Sequence, residues 1–468
     1  MLVPVLRYHL HVSVIALGAV EAFILFAAAY LAITTGLGHP FHAAPDPQAF
    51  APVFPKAAVF TLAMLCTIAA FGCYQHEAQN PDSGYYARCI RSFAVGALGV
   101  TVLFQAIPAI AVERDALTVA LLLGFLGYMT ARAGFLRLVG TPTWRRRVLV
   151  LGAGHEAARV CELERRQSGA DGFQVVGCMP LDASPYSVST SVIVKESASL
   201  DVIVRKFQVD EIVVAVRERR RGHLPLADLL ENRINGTKII DSATFFERET
   251  GRVKLDTVNP SWLIFSDGFR VGVARKVFKR AFDVIVSSTL LVMTLPMMIM
   301  TAILVALESP GPVFYRQRRV GQRGTVYELY KFRSMHENAE ADGAARWAAD
   351  HDVRCTAVGR IIRKWRIDEL PQLINVLRGD MSFVGPRPER PSFVGELTEQ
   401  IPYYSCRHTV KPGITGWAQV HYPYAASIED SKTKLEYDLY YLKNHSLLLD
   451  LLILIRTIHI VLFAQGAR

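Results

Sequence analysis

The chain has 468 residues, with 52 lysines and arginines against 42 aspartates and glutamates, a formal net charge of +10. Hydrophobic residues make up 51% of it and mean hydropathy is +0.24, too apolar for an ordinary water-soluble enzyme and too charged for a chain held wholly in lipid. Intrinsic disorder, a coiled coil and a disulfide scaffold are excluded. The seven cysteines are scattered with no C-x-x-C pair, so they read as reduced thiols with neither a zinc site nor a disulfide framework.

Four apolar runs come first: Val12 to Thr34, Ala57 to Tyr74, Phe93 to Val112 and Ala116 to Ala131. Each is near the ~20 residues a spanning helix needs. The loop Gly36–Pro55 has no Lys or Arg, whereas Arg88 and Arg91 precede the third run and Arg132, Arg137 and Arg145 to Arg147 follow the fourth. Positive charge marks the cytoplasmic side, so both ends of this four-helix unit are expected there. The fourth run also fits a buried core helix. Glu21, inside the first run, fits either a functional intramembrane site or a contact with a neighbouring helix.

From Arg147 short β-branched runs alternate with polar helical stretches. Arg147–Leu151, Phe173–Cys178, Glu211–Val216 and Thr237–Asp241 read as strands and His155–Gln167 as a helix, the pattern of a parallel sheet. The turn Gly152-Ala153-Gly154-His155-Glu156-Ala157 is a G-x-G-x-x-A, which admits a phosphate at a helix N-terminus. Against a dinucleotide stand the lack of an acidic residue at the end of the second strand, Asp182 being late, and Glu156 in the first helical turn. A Rossmann-like scaffold for regulation or subunit contact fits better.

The run Val284–Leu307 is flanked by Arg275, Lys276, Lys279 and Arg280 before it and Arg316, Arg318 and Arg319 after it. Cationic flanks put both ends on the cytoplasmic side. Pro296 sits at the centre, where a proline removes a backbone bond, so a broken helix that enters one leaflet and returns is expected. A plain fifth span is the other reading. Ser446–Phe463 is apolar but carries Asp450, Arg456 and His459, and reads as an interfacial helix.

Between these segments lies the chemistry. Tyr330-Lys331-Phe332-Arg333-Ser334-Met335 puts two cations on one side of an extended run. Arg360, Arg363, Lys364 and Arg366 lead into Asp368-Glu369-Leu370-Pro371-Gln372. Pro371 predicts a helix starting near Asp368, with adjacent carboxylates at its N-terminus; taken alone, they also fit simple helix caps. In Gly379-Asp380-Met381-Ser382-Phe383-Val384-Gly385-Pro386-Arg387-Pro388 two prolines hold an arginine in a rigid loop, a posture suited to gripping phosphate. Lys411-Pro412-Gly413-Ile414-Thr415-Gly416-Trp417 is another rigid turn.

These motifs, in this order, resemble the bacterial polyprenyl-phosphate sugar-1-phosphate transferases, the monotopic phosphoglycosyl transferases. The catalytic resemblance covers about residues 273–468, and the N-terminal runs and middle domain resemble the family's long form. The resemblance implies a multi-domain membrane protein. A four-helix transmembrane domain would span 1–143 and a Rossmann-like α/β domain 144–260. A mostly α catalytic domain would span 261–468, with a re-entrant helix at about 275–308 broken at Pro296. It implies transfer of sugar phosphate from a UDP-sugar to undecaprenyl phosphate in exopolysaccharide or O-antigen assembly, at the cytoplasmic face of the bacterial inner membrane. Asp368 matches the nucleophile and Glu369, beside it, the Mg²⁺ ligand. Lys331, Arg333, Arg363 and Arg387 match phosphate or nucleotide contacts, and Asp438 a further essential acid on the substrate side. Val420-His421-Tyr422-Pro423-Tyr424 departs from the Asn-Gly-Arg of short members, which suggests the exopolysaccharide branch. A homodimer is expected, and a nucleic-acid partner is not, because the excess charge lies beside membrane segments. Two other readings remain: a nucleotide-sugar dehydratase working through the middle domain, and an inactive membrane scaffold or regulator.

Overall fold

The computed structural model describes residues 2–5, 8–35, 50–74, 84–107, 110–139, 145–166, 172–181, 187–194, 199–216, 224–257, 272–336, 354–422 and 427–462. Asp182, Pro423 and Tyr424 lie outside them. The chain divides into two compact units, His9–Phe245 and Phe246–Arg468, with a few N-terminal residues shared between them.

After two short strands, β1 (Leu2–Val5) and β2 (Tyr8–His11), the first unit holds four long helices. They are α1 (Val12–Thr35), α2 (Phe50–Ala70), α3 (Tyr85–Ala106) and α4 (Arg114–Val139). Each apolar run forms a helix, and three helices outgrow their runs by a turn or more. The backbone bonds of a helix are indifferent to side-chain polarity, so α3 takes in Arg88 and Arg91 ahead of its apolar stretch. Helix α1 packs on α2 and α4, and α3 on α2 and α4. The seam is filled by Leu25, Phe60, Met64, Phe93 and Tyr128. At Gly96 an added Cβ would lie 2.5 Å from Thr67 Oγ1, so glycine sets the α2–α3 approach. Glu21 finds its partner on a neighbouring helix: Arg132 Nε lies 2.5 Å from Glu21 Oε1, both side chains fully buried, and Arg132 also donates to Tyr85 Oη at 3.0 Å. A buried pair with its remaining donors satisfied stabilises helix register at a depth where either charge alone would be costly.

A four-stranded parallel sheet follows, in the order β4 (Phe173–Met179), β3 (Arg146–Leu151), β5 (Glu211–Val214) and β6 (Lys238–Asp241). Helix α5 (His155–Arg166) crosses from β3 to β4. Helices α6 (Leu200–Lys206), α7 (Leu226–Ile234) and α8 (Ser242–Thr250) complete the segment. Gly152 adopts φ +122 where its Cβ would lie 2.7 Å from Ala215 O, so the first glycine of the turn serves a close backbone approach. Ser187 N donates to Ala153 O at 2.8 Å, and Glu156 pairs with Arg159 at 3.3 Å.

The second unit is organised around α9 (Val273–Glu308) and α14 (Ile428–Asn444). Helices α1–α4 and α9 are long and apolar enough to cross a membrane. Residues 273–308 form one helix with Pro296 inside it, and Thr294 Oγ1 donates to Leu290 O at 2.7 Å, one turn below the proline. Asp283, Ser287, Met298, Thr301 and Val305 form a single buried stripe along it. The opposite face, with Ile285, Val292, Met293, Ile299 and Leu307, is exposed. Strands β7 (Phe314–Val320) and β8 (Val326–Phe332) pair as an antiparallel hairpin. Next come α10 (Ala357–Lys364), α11 (Gln372–Arg378), β9 (Ser382–Val384) and α12 (Pro391–Gln400). Strand β10 (Gly413–Thr415), parallel to β9, and α13 (Trp417–His421) lead to α14. Leu435, Leu439 and Tyr440 of α14 pack with Trp417, Leu373, Phe383 and Leu397 as the core. The last helix, α15 (Leu447–Leu462), buries Leu449 and Ile453 in that core, and its 16 residues fall short of the ~20 a span requires.

Candidate active site

The hairpin β7–β8 sets Lys331 opposite Tyr315 on one face. Its Nζ lies 2.9 Å from Glu369 Oε1. The strand ends at Phe332, so Arg333 leaves that face. It is buried, and it donates to Ser309 O at 2.6 Å, Pro310 O at 2.8 Å and Val305 O at 3.1 Å. These are carbonyls at the end of α9, where a helix has no partners of its own. The structure therefore gives Arg333 to the membrane helix and does not bring it to the carboxylates.

Helix α10 starts at Thr356, whose Oγ1 accepts from Gly359 N at 2.9 Å. It ends in the basic residues Arg363 and Lys364. Arg366 then takes a left-handed φ of 57°, uncommon for a residue with a side chain, and reverses the chain into a 3-10 turn, Ile367–Glu369. The expected helix at Asp368 is thus corrected. Pro371 acts as the N-cap of α11, and both carboxylates occupy the tighter turn before it. The stretch from Ile367 to Pro371 makes i to i+3 bonds because proline supplies no N–H to continue an α ladder backwards.

The two adjacent carboxylates have different surroundings. Glu369 meets Lys331 at 2.9 Å, Arg387 Nη2 at 2.9 Å and Arg366 Nη1 at 3.4 Å. Burial pushes its pKa up, but Lys331, Arg387 and Arg366 outweigh that and hold it well below the usual carboxylate range. Asp368 is equally buried. Among the described residues no group donates a hydrogen bond to it. Burial, only partly offset by Lys331, pushes its carboxyl from the ordinary 3.8 up to about 6, with the Glu369 charge adding to the rise. Arg363 acts on Asp368 through space, while its Nη1 donates to Cys355 Sγ at 2.8 Å.

Asp438 is brought elsewhere. It is 1% exposed on α14 and pairs with Arg407 at 2.9 Å. Pro296 lies within α9, apart from this chemistry. Three contributors were not anticipated from the sequence. Arg366 supplies the third cation on Glu369. Asn375 accepts from Tyr330 N at 3.0 Å and donates to Glu328 O at 2.7 Å, tying α11 to the strand that carries Lys331. Arg407 reaches Arg387 O at 3.0 Å. Arg366 could have been suspected from its place beside the acidic pair; the other two needed the tertiary structure.

Residues 274–464 match the bacterial sugar transferase family, a span that contains every residue of this cluster. Over 340 residues the chain is 34% identical to a UDP-glucose:undecaprenyl-phosphate glucose-1-phosphate transferase of Klebsiella pneumoniae, covering 70% of each chain. The chain belongs to the bacterial polyprenyl-phosphate sugar-phosphate transferases. It is also 47% identical over 222 residues to a UDP-N-acetylgalactosamine-undecaprenyl-phosphate N-acetylgalactosaminephosphotransferase of Aeromonas hydrophila, covering 47% of this chain and 52% of that one. It therefore spans about half the length of that relative. An undecaprenyl-phosphate galactose phosphotransferase of Salmonella typhimurium is 30% identical over 339 residues, 69% of this chain and 70% of the relative. This sugar transferase is a membrane protein, mostly helical, with a small parallel sheet.

Proposed function

We propose that this transferase moves a sugar-1-phosphate from a UDP-sugar to undecaprenyl phosphate in two displacements on Asp368, as an early membrane step of exopolysaccharide or O-antigen assembly. The observation that carries the reading is the division of labour between neighbouring carboxylates. Glu369 is held by three cations, and Asp368 is left buried and unpartnered with a raised proton affinity. Desolvation strengthens a carboxylate as a nucleophile and leaves it free to move onto phosphorus.

In the first step an Asp368 oxygen attacks the β-phosphorus. The bond from that phosphorus to the bridging oxygen breaks, and UMP departs with the electron pair. An acyl-phosphate sugar remains on the enzyme. In the second step an oxygen of undecaprenyl phosphate attacks the same phosphorus and Asp368 is released. Lys331, Arg387 and Arg366 stand where they neutralise charge that builds on the diphosphate oxygens. Glu369 keeps those cations converged. Two hard carboxylate donors, one of them unpaired, fit Mg²⁺ held jointly with substrate phosphates. Mg²⁺ bound by Asp368 and Glu369 would supply further neutralisation of the diphosphate.

The same reading places catalysis at the cytoplasmic face of the inner membrane. Support comes from α9. Its buried stripe from Asp283 to Val305 packs on the unit that carries the site. Near its start Arg280 donates to Val376 O at 2.6 Å and Leu377 O at 2.7 Å, and at its end Arg333 holds Ser309 O. A helix anchored at both ends to one polar unit suits a re-entrant path better than a full crossing. We read the parallel sheet as a Rossmann-like scaffold rather than a second catalytic centre. The relatives' names carry glucose, galactose and N-acetylgalactosamine. The deciding experiment is UMP release across a panel of those UDP-sugars, with and without undecaprenyl phosphate. Release without acceptor, one equivalent per enzyme, supports the covalent route; release strictly dependent on acceptor defeats it.

A further inference from the structure

The loop that presents Arg387 reads Pro386-Arg387-Pro388. Two of its three residues have no N–H, so it cannot anchor itself by donating hydrogen bonds. It must be held by donors that arrive at its carbonyls, and each carbonyl has one. Gly413 N meets Pro386 O at 2.9 Å, and Val320 N meets Glu389 O just beyond the loop at 3.0 Å. The two central contacts come from arginine side chains: Arg407 Nη2 to Arg387 O at 3.0 Å and Arg319 Nη1 to Pro388 O at 3.0 Å. Arg407 is 6% exposed. Its Nη1 donates to Tyr404 Oη at 2.6 Å, and Asp438, 2.9 Å away, balances its charge. Neither Asp438 nor Arg407 contacts Asp368 or Glu369. From the far side of the loop, the Arg387 guanidinium reaches Glu369.

We propose that Asp438 and Arg407 are positioning residues that hold the backbone of Arg387, so that its guanidinium meets the diphosphate, while neither touches substrate. The proposal rests on the reading of Arg387 as a diphosphate contact and assigns Asp438 a role behind the site instead of in it. Geometry favours the assignment. A guanidinium can serve Tyr404 and the Arg387 carbonyl at once only if its plane is fixed, and a buried carboxylate on α14 fixes it. Removal of that carboxylate leaves a buried cation without its counter-ion and frees the guanidinium to turn.

A double-mutant cycle tests this, with UDP in the presence of MgCl₂ as the probe and the full-length protein in nanodiscs. Asp438→Asn alone is expected to weaken UDP binding about tenfold. Arg387→Ala alone is expected to weaken it at least as much. With Arg387 already removed, Asp438→Asn should cost less than about twofold more, because its effect travels through that residue. Arg407→Lys, which keeps the charge but cannot reach both acceptors, should behave like Asp438→Asn and serves in its place if the Asn variant fails to fold. Losses that multiply in the double variant overturn the proposal and return Asp438 to direct contact. A wild type that binds UDP no more tightly than Arg387→Ala refutes the diphosphate reading itself, and the positioning role with it.

Discussion

Asp368 is exposed to opposing demands of catalysis and stability. Its raised pKa means that the folded chain holds the proton more tightly than the unfolded chain does. The group therefore contributes stability below its ordinary 3.8, and that contribution is lost as pH rises through about 6. At neutral pH the ionised, buried carboxylate is a liability. Asp368→Asn should abolish UMP release, by about a thousandfold or more. It should also raise the melting temperature at pH 7.5, corresponding to about 1–3 kcal/mol, with the gain shrinking by pH 5. Differential scanning fluorimetry across that range checks it; an inactive variant that melts lower would remove burial as the source of nucleophile activation. In the wild type, kcat/KM should fall on the acid side with a midpoint near 6, because protonation removes the attacking oxygen. A profile flat down to pH 5 would count against Asp368. Glu369→Gln should be nearly as damaging, since it sets three cations adrift while leaving the nucleophile in place.

Helix α9 carries the second prediction. Single cysteines at Ala274 and Ser309, in a background without the native thiols, should both react with a membrane-impermeant maleimide only from the cytoplasmic side. Ser309 is chosen over Gly311, whose φ of +114 would strain any side chain. Labelling of Ser309→Cys from the periplasm would make α9 a plain span and move the site away from cytoplasmic nucleotide. The elements show what patterning can and cannot reveal. Apolar runs and β-branched alternation located the four long helices and the four strands, with helix ends displaced by a turn or two, as where α3 ends at Ala106 before the expected Val112. The acidic pair, Lys331 and Arg387 stood out through short motifs and the family resemblance that those motifs carry. The fate of Arg333 did not, because alternation alone put it beside Lys331; the strand stops one residue earlier and α9 offers it three carbonyls. Pro296 was legible as the mid-helix proline of α9, the point where a backbone bond is missing.

At the scale of the whole molecule, the second compact unit begins at Phe246 and takes in a segment ahead of residue 261. Residues 246–257 are stitched to α14. Lys443 Nζ meets Glu247 Oε2 at 2.7 Å, Val253 N meets Glu436 O at 3.0 Å, Leu255 N meets Glu436 Oε1 at 3.1 Å, and Trp417 donates to Gly251 O at 2.7 Å. A fragment of residues 246–468 should fold in detergent and release UMP within about threefold of the full chain, since its contacts are kept. A fragment of residues 272–468 should melt lower by several degrees, as each lost buried bond costs about 1 kcal/mol. Equal melting of the two fragments would show the stitch to be decorative.

The grip of Arg333 on the end of α9 has a consequence for kinetics. Lys331 lies near the end of β8, two residues before Arg333, so the cation proposed to meet the diphosphate is tied closely to the membrane helix. On the proposed reading, the enzyme works at one height above the bilayer and meets its lipid acceptor by lateral diffusion in a plane. Turnover in the second step should then follow the mole fraction of undecaprenyl phosphate in the vesicle and ignore its bulk concentration. Adding inert phospholipid at constant acceptor should slow the reaction by surface dilution, while adding more vesicles of the same composition should not raise the rate per enzyme.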